Sequence, residues 1–120
     1  RLVVIDDSIV RGNTQRALVR MLREAGAAEV HIRISSPPVL WPCFFGIDFP
    51  TRAELIASSM DVDQVRAHLG ADSLAYLSID GMVAATGQGT SLCLGCFTGE
   101  YPEAIPAGTP VPGTPDATPC

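Results

Sequence analysis

The sequence predicts an α/β fold built on a parallel sheet, and three observations carry that expectation. An apolar run, Leu2-Val3-Val4-Ile5, ends abruptly in two carboxylates, Asp6 and Asp7. A segment of helical period follows over Thr14 to Ala25, and an alternating segment over Glu29 to Ile34 comes next. Strand, helix and strand within about thirty residues make a βαβ unit.

The first element reads as a buried parallel strand. The short loop after it, Ser8 to Thr14, is rich in small and hydroxyl residues and leads into a helix. Backbone N–H groups at such a loop and helix N-terminus suit a phosphate. Carboxylates at the carboxyl end of a strand suit ribose hydroxyls or Mg²⁺. An acidic pair alone would be no more than a solvated turn.

In the helix, Leu18, Met21, Leu22 and Ala25 share one face, with Arg16, Arg20 and Arg23 mostly opposite. Asn13 or Thr14 is the expected cap, and Gly26 closes the end in a left-handed conformation. Arg23 is within reach of a ligand phosphate, but a solvated helix face is the preferred reading. In the next strand Val30, Ile32 and Ile34 point inward, leaving His31 and Arg33 on a surface face.

Ser36-Pro37-Pro38 ends that strand, and an aromatic loop, Trp41 to Asp48, holds Cys43. Thr51 to Ala57 is expected to be a short helix with Leu55 and Ile56 inward. Asp61 or Asp63 caps another, with Val62, Val65 and Leu69 on one side and Gly70 after it. Leu74 to Ile79 reads as a strand, and Asp80 as the cap of a last helical turn through Ala85. Thr86 to Thr90 is a Gly-rich connector. Six of the ten prolines lie in residues 101–120, which read as a disordered tail.

Composition narrows the function. Net charge is −5 and all eight basic residues are arginine, with no basic cluster, so nucleic acid is not expected as a partner. No run of eighteen apolar residues spans a membrane, and no signal peptide is visible. A cytoplasmic protein is expected. The chain starts with Arg1 hard against a strand, which reads as a fragment lacking its N-terminal part.

Four cysteines, 43, 93, 96 and 120, have no secretory context, so metal binding or catalysis is preferred over disulfides. Cys93-x-x-Cys96 follows a Gly-rich loop and runs into Gly99 and Pro102, which disfavours a thioredoxin-like pair. Zinc and a 4Fe–4S cluster both need four ligands, and spacing does not separate them.

The stretch from Leu2 to Thr14, with Asp-Asp-Ser-Ile-Val-Arg-Gly at its centre, resembles the phosphoribosyl-pyrophosphate (PRPP) signature of type I phosphoribosyltransferases. Its wording is similar to that of the glutamine amidophosphoribosyltransferases. Asn13 departs from the usual second threonine of that loop. Pro42 to Asp48 and Cys93 to Pro102 resemble the two cluster-binding segments of the iron–sulfur branch of the same family. The resemblance covers about residues 2–102, with three motifs in the family's order.

The resemblance implies a partial type I phosphoribosyltransferase domain over residues 1–50, a helical and cluster-binding region over 51–100, and the tail. It implies PRPP binding by Asp6, Asp7, Ser8, Ile9, Val10, Arg11, Gly12, Asn13 and Thr14, with Mg²⁺ at Asp6 and Asp7. Cys43, Cys93 and Cys96 become ligands of a 4Fe–4S cluster, buried together, with Cys120 a bystander. The implied activity forms 5-phosphoribosylamine from PRPP and glutamine. Glutamine or ammonia would be handled by an N-terminal domain not included here, in an enzyme expected to be a homo-oligomer. Another phosphoribosyltransferase, or a non-catalytic PRPP-sensing regulator, is the alternative.

Overall fold

The computed structural model describes residues 1–47, 51–89 and 91–105. Its elements run β1 (Leu2–Asp6), α1 (Asn13–Glu24), β2 (Val30–Ile34), α2 (Ile56–Ser59), α3 (Val62–Leu69), β3 (Ser73–Tyr76), α4 (Ile79–Thr86) and α5 (Gly95–Thr98). A single turn of 3-10 helix, Arg52–Glu54, precedes α2. Both pairings are parallel and the strand order is β1-β2-β3. The α/β expectation holds.

One face of the sheet carries the core. Val30, Ile32, Ile34 and Leu74 meet Val19 of α1 and Val65 and Leu69 of α3, with Ile9 and Ile56 closing the end near the loop. β1, α1 and β2 of that core precede residue 50, and α2, α3 and β3 follow it. The register pairs Val3 with His31 and Ile5 with Arg33, which puts these four on the opposite face.

That opposite face corrects the reading of β1 as a buried strand. β1 is an edge strand, and Val3 and Ile5 are 65% and 76% exposed. Its four consecutive apolar residues suggested cover on both faces, the usual state of a parallel strand. His31 is half-buried, not surface: Ser73 Oγ and Glu29 occupy its two ring nitrogens at 2.9 and 3.1 Å.

Helix α1 departs from its expected orientation. Its buried residues are Gln15 and Val19, with Leu22 half-buried one turn on, while Met21 is 56% exposed. No side chain caps it: Gly12 is the N-cap, at φ 77°, so neither Asn13 nor Thr14 takes that role. Gly26 takes a positive φ after the helix, as expected. Arg23 is not simply solvated. It donates to the carbonyl of Ala28 and pairs with Asp72, tying α1 to the start of β3.

The segment expected as one helix over Thr51 to Ala57 is broken at Leu55, whose backbone is extended; Leu55 and Ile56 are buried as anticipated. Asp61 forms a capping box with Gln64 at the start of α3, and Gly70 ends it in the left-handed region. Val62 is exposed, while Val65 and Leu69 face the core. The third strand ends at Tyr76, not Ile79, because Ser78 accepts from Gly81 N and starts α4; Asp80 lies inside the first turn. Asp48, Thr90, Cys120 and most of the proline-rich tail lie outside the described residues.

Candidate functional site

Strand β1 delivers Asp6 and Asp7 to the carboxyl end of the sheet. Asp6 is held on every side. Its Oδ1 accepts from Asp7 N at 3.0 Å, its Oδ2 from Gln15 Nε2 at 2.7 Å, and its carbonyl from Ser35 N and Oγ, both at 3.0 Å. Asp7 is exposed, and its carboxylate meets only Ser8 Oγ, at 3.1 Å, among the described residues. The two carboxylates of the predicted pair are therefore unequal: Asp6 is fixed and Asp7 is presented.

The loop after them is anchored through successive residues. Ile9 is 1% exposed and fills the core, so it can serve a ligand only through its backbone. The carbonyl of Val10 accepts from Ile56 N at 2.9 Å. Arg11 pairs with Glu54 at 2.8 Å, and its guanidinium, with help from Thr51, holds the Glu54 carboxyl below its ordinary range. The Gly12 carbonyl accepts from Arg16 N, leaving the N–H groups of Asn13, Thr14 and Gln15 as the first donors of α1, with no partner among the described residues.

These residues surround a cavity of about 280 Å³ lined by Ser8, Val10, Arg11, Gly12, Asn13, Thr14 and Gln15. Loop residues with backbone and side-chain donors line it together with a helix N-terminus, which is the chemistry of an oxyanion or phosphate site. A larger groove of about 570 Å³ lies between α1 and α3 beside Arg16, Arg20, Arg23 and His68. Two of those arginines already meet carboxylates, Arg20 with Glu24 and Arg23 with Asp72. The smaller cavity is the one whose lining joins the acidic pair, through Ser8 to Asp7 and through Gln15 to Asp6.

The cysteine segments meet at a second place. Leu40 and Trp41 both donate to the carbonyl of Cys96, at 2.9 and 3.0 Å, and Tyr101 Oη donates to the carbonyl of Pro42 at 2.7 Å. The Phe44 ring stands edge-on to Tyr101 with centroids 5.1 Å apart. Gly95 lies under the Tyr101 ring and Gly99 against the Trp41 indole; a Cβ at either would fall inside those rings' contact distance. Arg52 stacks over the Trp41 ring, 3.8 Å from its centre.

This packing brings Cys43 to Cys93 and Cys96 across fifty residues. Burial pushes the Cys96 thiol up, and the charges of Cys43 and Cys93 act in the same direction. The expectation that all three are buried needs correction: Cys43 and Cys96 are half-buried, and Cys93 is exposed. Phe45 is 47% exposed, so it leaves this corner open to water. No group of three or more His, Cys, Asp or Glu among the described residues is set to hold a single metal ion. In a 4Fe–4S cluster each thiolate binds a different iron, which asks for wider spacing than one ion does.

Sequence reasoning missed Gln15, the buried polar side chain that holds Asp6. Its signal was available: a glutamine two residues into a helix, directly after a phosphate-type loop.

The chain is 63% identical over 115 residues to the amidophosphoribosyltransferase of Mycobacterium tuberculosis, covering 91% of this chain and 22% of that protein. It is 51% identical over 122 residues to that of Bacillus subtilis, covering 98% of this chain and 26% of that protein. A solved structure of glutamine PRPP amidotransferase from B. subtilis, complexed with ADP and GMP, superposes with a TM-score of 0.84 at 52% identity. It covers 93% of this chain and 26% of that one. By sequence and by fold, the chain belongs with the amidophosphoribosyltransferases. It spans about a fifth to a quarter of the length of the amidophosphoribosyltransferases it matches. No family model matches the chain. No helix among the described residues is long and apolar enough to cross a membrane.

Proposed function

We propose that the chain supplies the PRPP-binding part of an enzyme that converts PRPP, glutamine and water to 5-phosphoribosylamine, glutamate and pyrophosphate, the first step of de novo purine biosynthesis. One observation carries this reading. An exposed carboxylate at the strand end, Asp7, is bonded to Ser8, which lines a cavity together with the loop and the start of α1.

The 5-phosphate of PRPP would sit in that cavity, on the N–H and O–H groups of Ser8 to Thr14. Asp6 and Asp7 would then accept from the ribose 2- and 3-hydroxyls, directly or through Mg²⁺. Two adjacent carboxylates are hard oxygen donors of the type Mg²⁺ prefers, and the exposed Asp7 leaves room for its waters. Bound there, Mg²⁺ would supply charge neutralisation for the departing pyrophosphate. The carboxylates also favour positive charge developing at C1 as pyrophosphate leaves and ammonia arrives. No side-chain nucleophile is needed; positioning and electrostatics suffice.

Cys43, Cys93 and Cys96 would supply three of the four ligands of a 4Fe–4S cluster, which would be structural and completed by a cysteine elsewhere in the enzyme. Burial first, and then the charges of Cys43 and Cys93, raise the Cys96 thiol, and bound iron would neutralise the charge of those sulfurs. A cytoplasmic homo-oligomer is the setting this reading implies.

The test is pyrophosphate release from PRPP by the complete enzyme, with ammonia as nitrogen donor. Asp7→Asn keeps the size of the side chain and removes its charge. The expected loss is roughly 10²–10³ in rate, the scale of removing one strong transition-state contact. Turnover within about twofold of the parent enzyme would reduce the acidic pair to a strand end.

A further inference from the structure

The buried polar side chain of the core is Gln15, 8% exposed in the first turn of α1. Its Nε2 lies 2.7 Å from Asp6 Oδ2 and 3.2 Å from the carbonyl oxygen of Ser8. Both neighbours are acceptors only, so the amide orientation is fixed: nitrogen toward them, oxygen away. A primary amide has two N–H bonds, and both are used. A residue with no such donor would leave a carboxylate oxygen and a loop carbonyl facing each other across a buried gap.

We propose that Gln15 is a positioning residue of the PRPP loop, which clamps Asp6 and the Ser8 carbonyl together and so leaves Asp7 as the carboxylate presented to ligand. The inference rests on the PRPP-binding reading above. Three links compose the clamp. Asp7 N binds Asp6 Oδ1 at 3.0 Å, Gln15 binds Asp6 Oδ2, and Gln15 binds the first carbonyl of the loop. Strand end, loop entry and helix start thus share one amide. Loss of that amide frees the Asp6 carboxylate to rotate, and frees the loop whose N–H groups must converge on a phosphate. Arg11 and Val10 anchor the far side of the loop independently, through Glu54 and Ile56, so the loop would loosen without unfolding.

Two substitutions in the complete enzyme separate positioning from mere packing. Gln15→Leu keeps the volume and removes both donors. Gln15→Glu keeps the shape and sets a carboxylate against Asp6, unless one proton is shared between them; like charges that close raise the pair's affinity for a proton. With ammonia as nitrogen donor, Gln15→Leu should raise the KM for PRPP roughly tenfold or more, the scale of one hydrogen bond to a charged group. Gln15→Glu should lose activity at alkaline pH and regain it on acidification, relative to the parent enzyme at each pH. A merely structural role would lower the amount of active enzyme and the melting temperature, with no change in the KM for PRPP and no new ionisation. If Gln15→Leu fails to fold, the pH profile of Gln15→Glu decides alone. If neither variant folds, Gln15 is a core structural residue and the proposal is overturned. It is equally overturned if both variants fold, keep the parent KM for PRPP and track the parent pH profile. Asp7→Asn run in parallel tells the two failures apart. An active Asp7→Asn sinks the PRPP reading, whereas an inactive Asp7→Asn beside silent Gln15 variants sinks only the clamp.

Discussion

Gly12 begins α1 with its backbone, where Asn13 and Thr14 do not cap it with a side chain. Its φ of 77° is a conformation in which an L side chain is strained, and a Cβ there would stand 3.0 Å from Ile56 Cδ1 and 3.3 Å from Leu69 Cδ2. The glycine therefore lets the loop turn and lets α2 and α3 close beneath it. Gly12→Ala should cost about 1–2 kcal/mol from backbone strain, with crowding against Ile56 in addition. A drop in the urea midpoint at unchanged slope would register it; an unchanged midpoint would mean the loop turns elsewhere. The sequence marks this residue as part of a loop but not as the pivot. Gln15 was legible only from its place just after the loop, since periodicity arguments count apolar residues and pass over a buried amide. That omission explains the rotated reading of α1: with Gln15 inward beneath Asp6, the buried stripe becomes Gln15, Val19 and Leu22, and Met21 turns outward.

At the scale of elements, β2 was legible because its alternation matches the strand period, and it is held at its start by a residue no pattern marks. Asp72 accepts from Val30 N at 2.6 Å and pairs with Arg23 of α1, so one carboxylate joins β2, α1 and the turn before β3. The Val30 N–H first, and then Arg23, hold the Asp72 carboxyl below its ordinary range. A carboxylate whose pKa is lower folded than unfolded stabilises the fold above its unfolded value, and that stabilisation fades as pH falls through the folded one. The parent should therefore exceed Asp72→Asn in urea midpoint at neutral pH. The gap should narrow as pH drops below about 4, the usual aspartate range. A gap independent of pH would show that Asp72 acts by shape and not by charge. The strand and helix boundaries that shifted did so for local reasons: Ser78 rather than Asp80 supplies the α4 cap, and Leu55 stays extended so that both it and Ile56 can be buried.

Across the whole molecule, the two cysteine segments are far apart in sequence, and spacing alone places only Cys93 beside Cys96. What brings Cys43 to them is aromatic packing and backbone pairing: Trp41 on Gly99, Phe44 on Tyr101, and two N–H groups on the Cys96 carbonyl. The glycines at 95 and 99 leave the space those rings fill, a role invisible until both segments are seen together. The exposed Cys93 and Phe45 leave one side of this corner open. An open side is where a fourth ligand from elsewhere in the enzyme would approach. The complete enzyme purified without air should then be brown and carry about four iron and four sulfide per chain, the composition of a 4Fe–4S cluster. Cys43→Ser should abolish the colour and loosen the packing between the Trp41 loop and residues 93–101, because cluster binding is coupled to folding. Cys120→Ser should change neither colour nor stability. Zinc without sulfide would overturn the cofactor and keep the site. A Cys43→Ser enzyme with its full iron and sulfide would remove Cys43 from the ligand set, leaving the aromatic contacts and the backbone bonds to account for the meeting of the two segments.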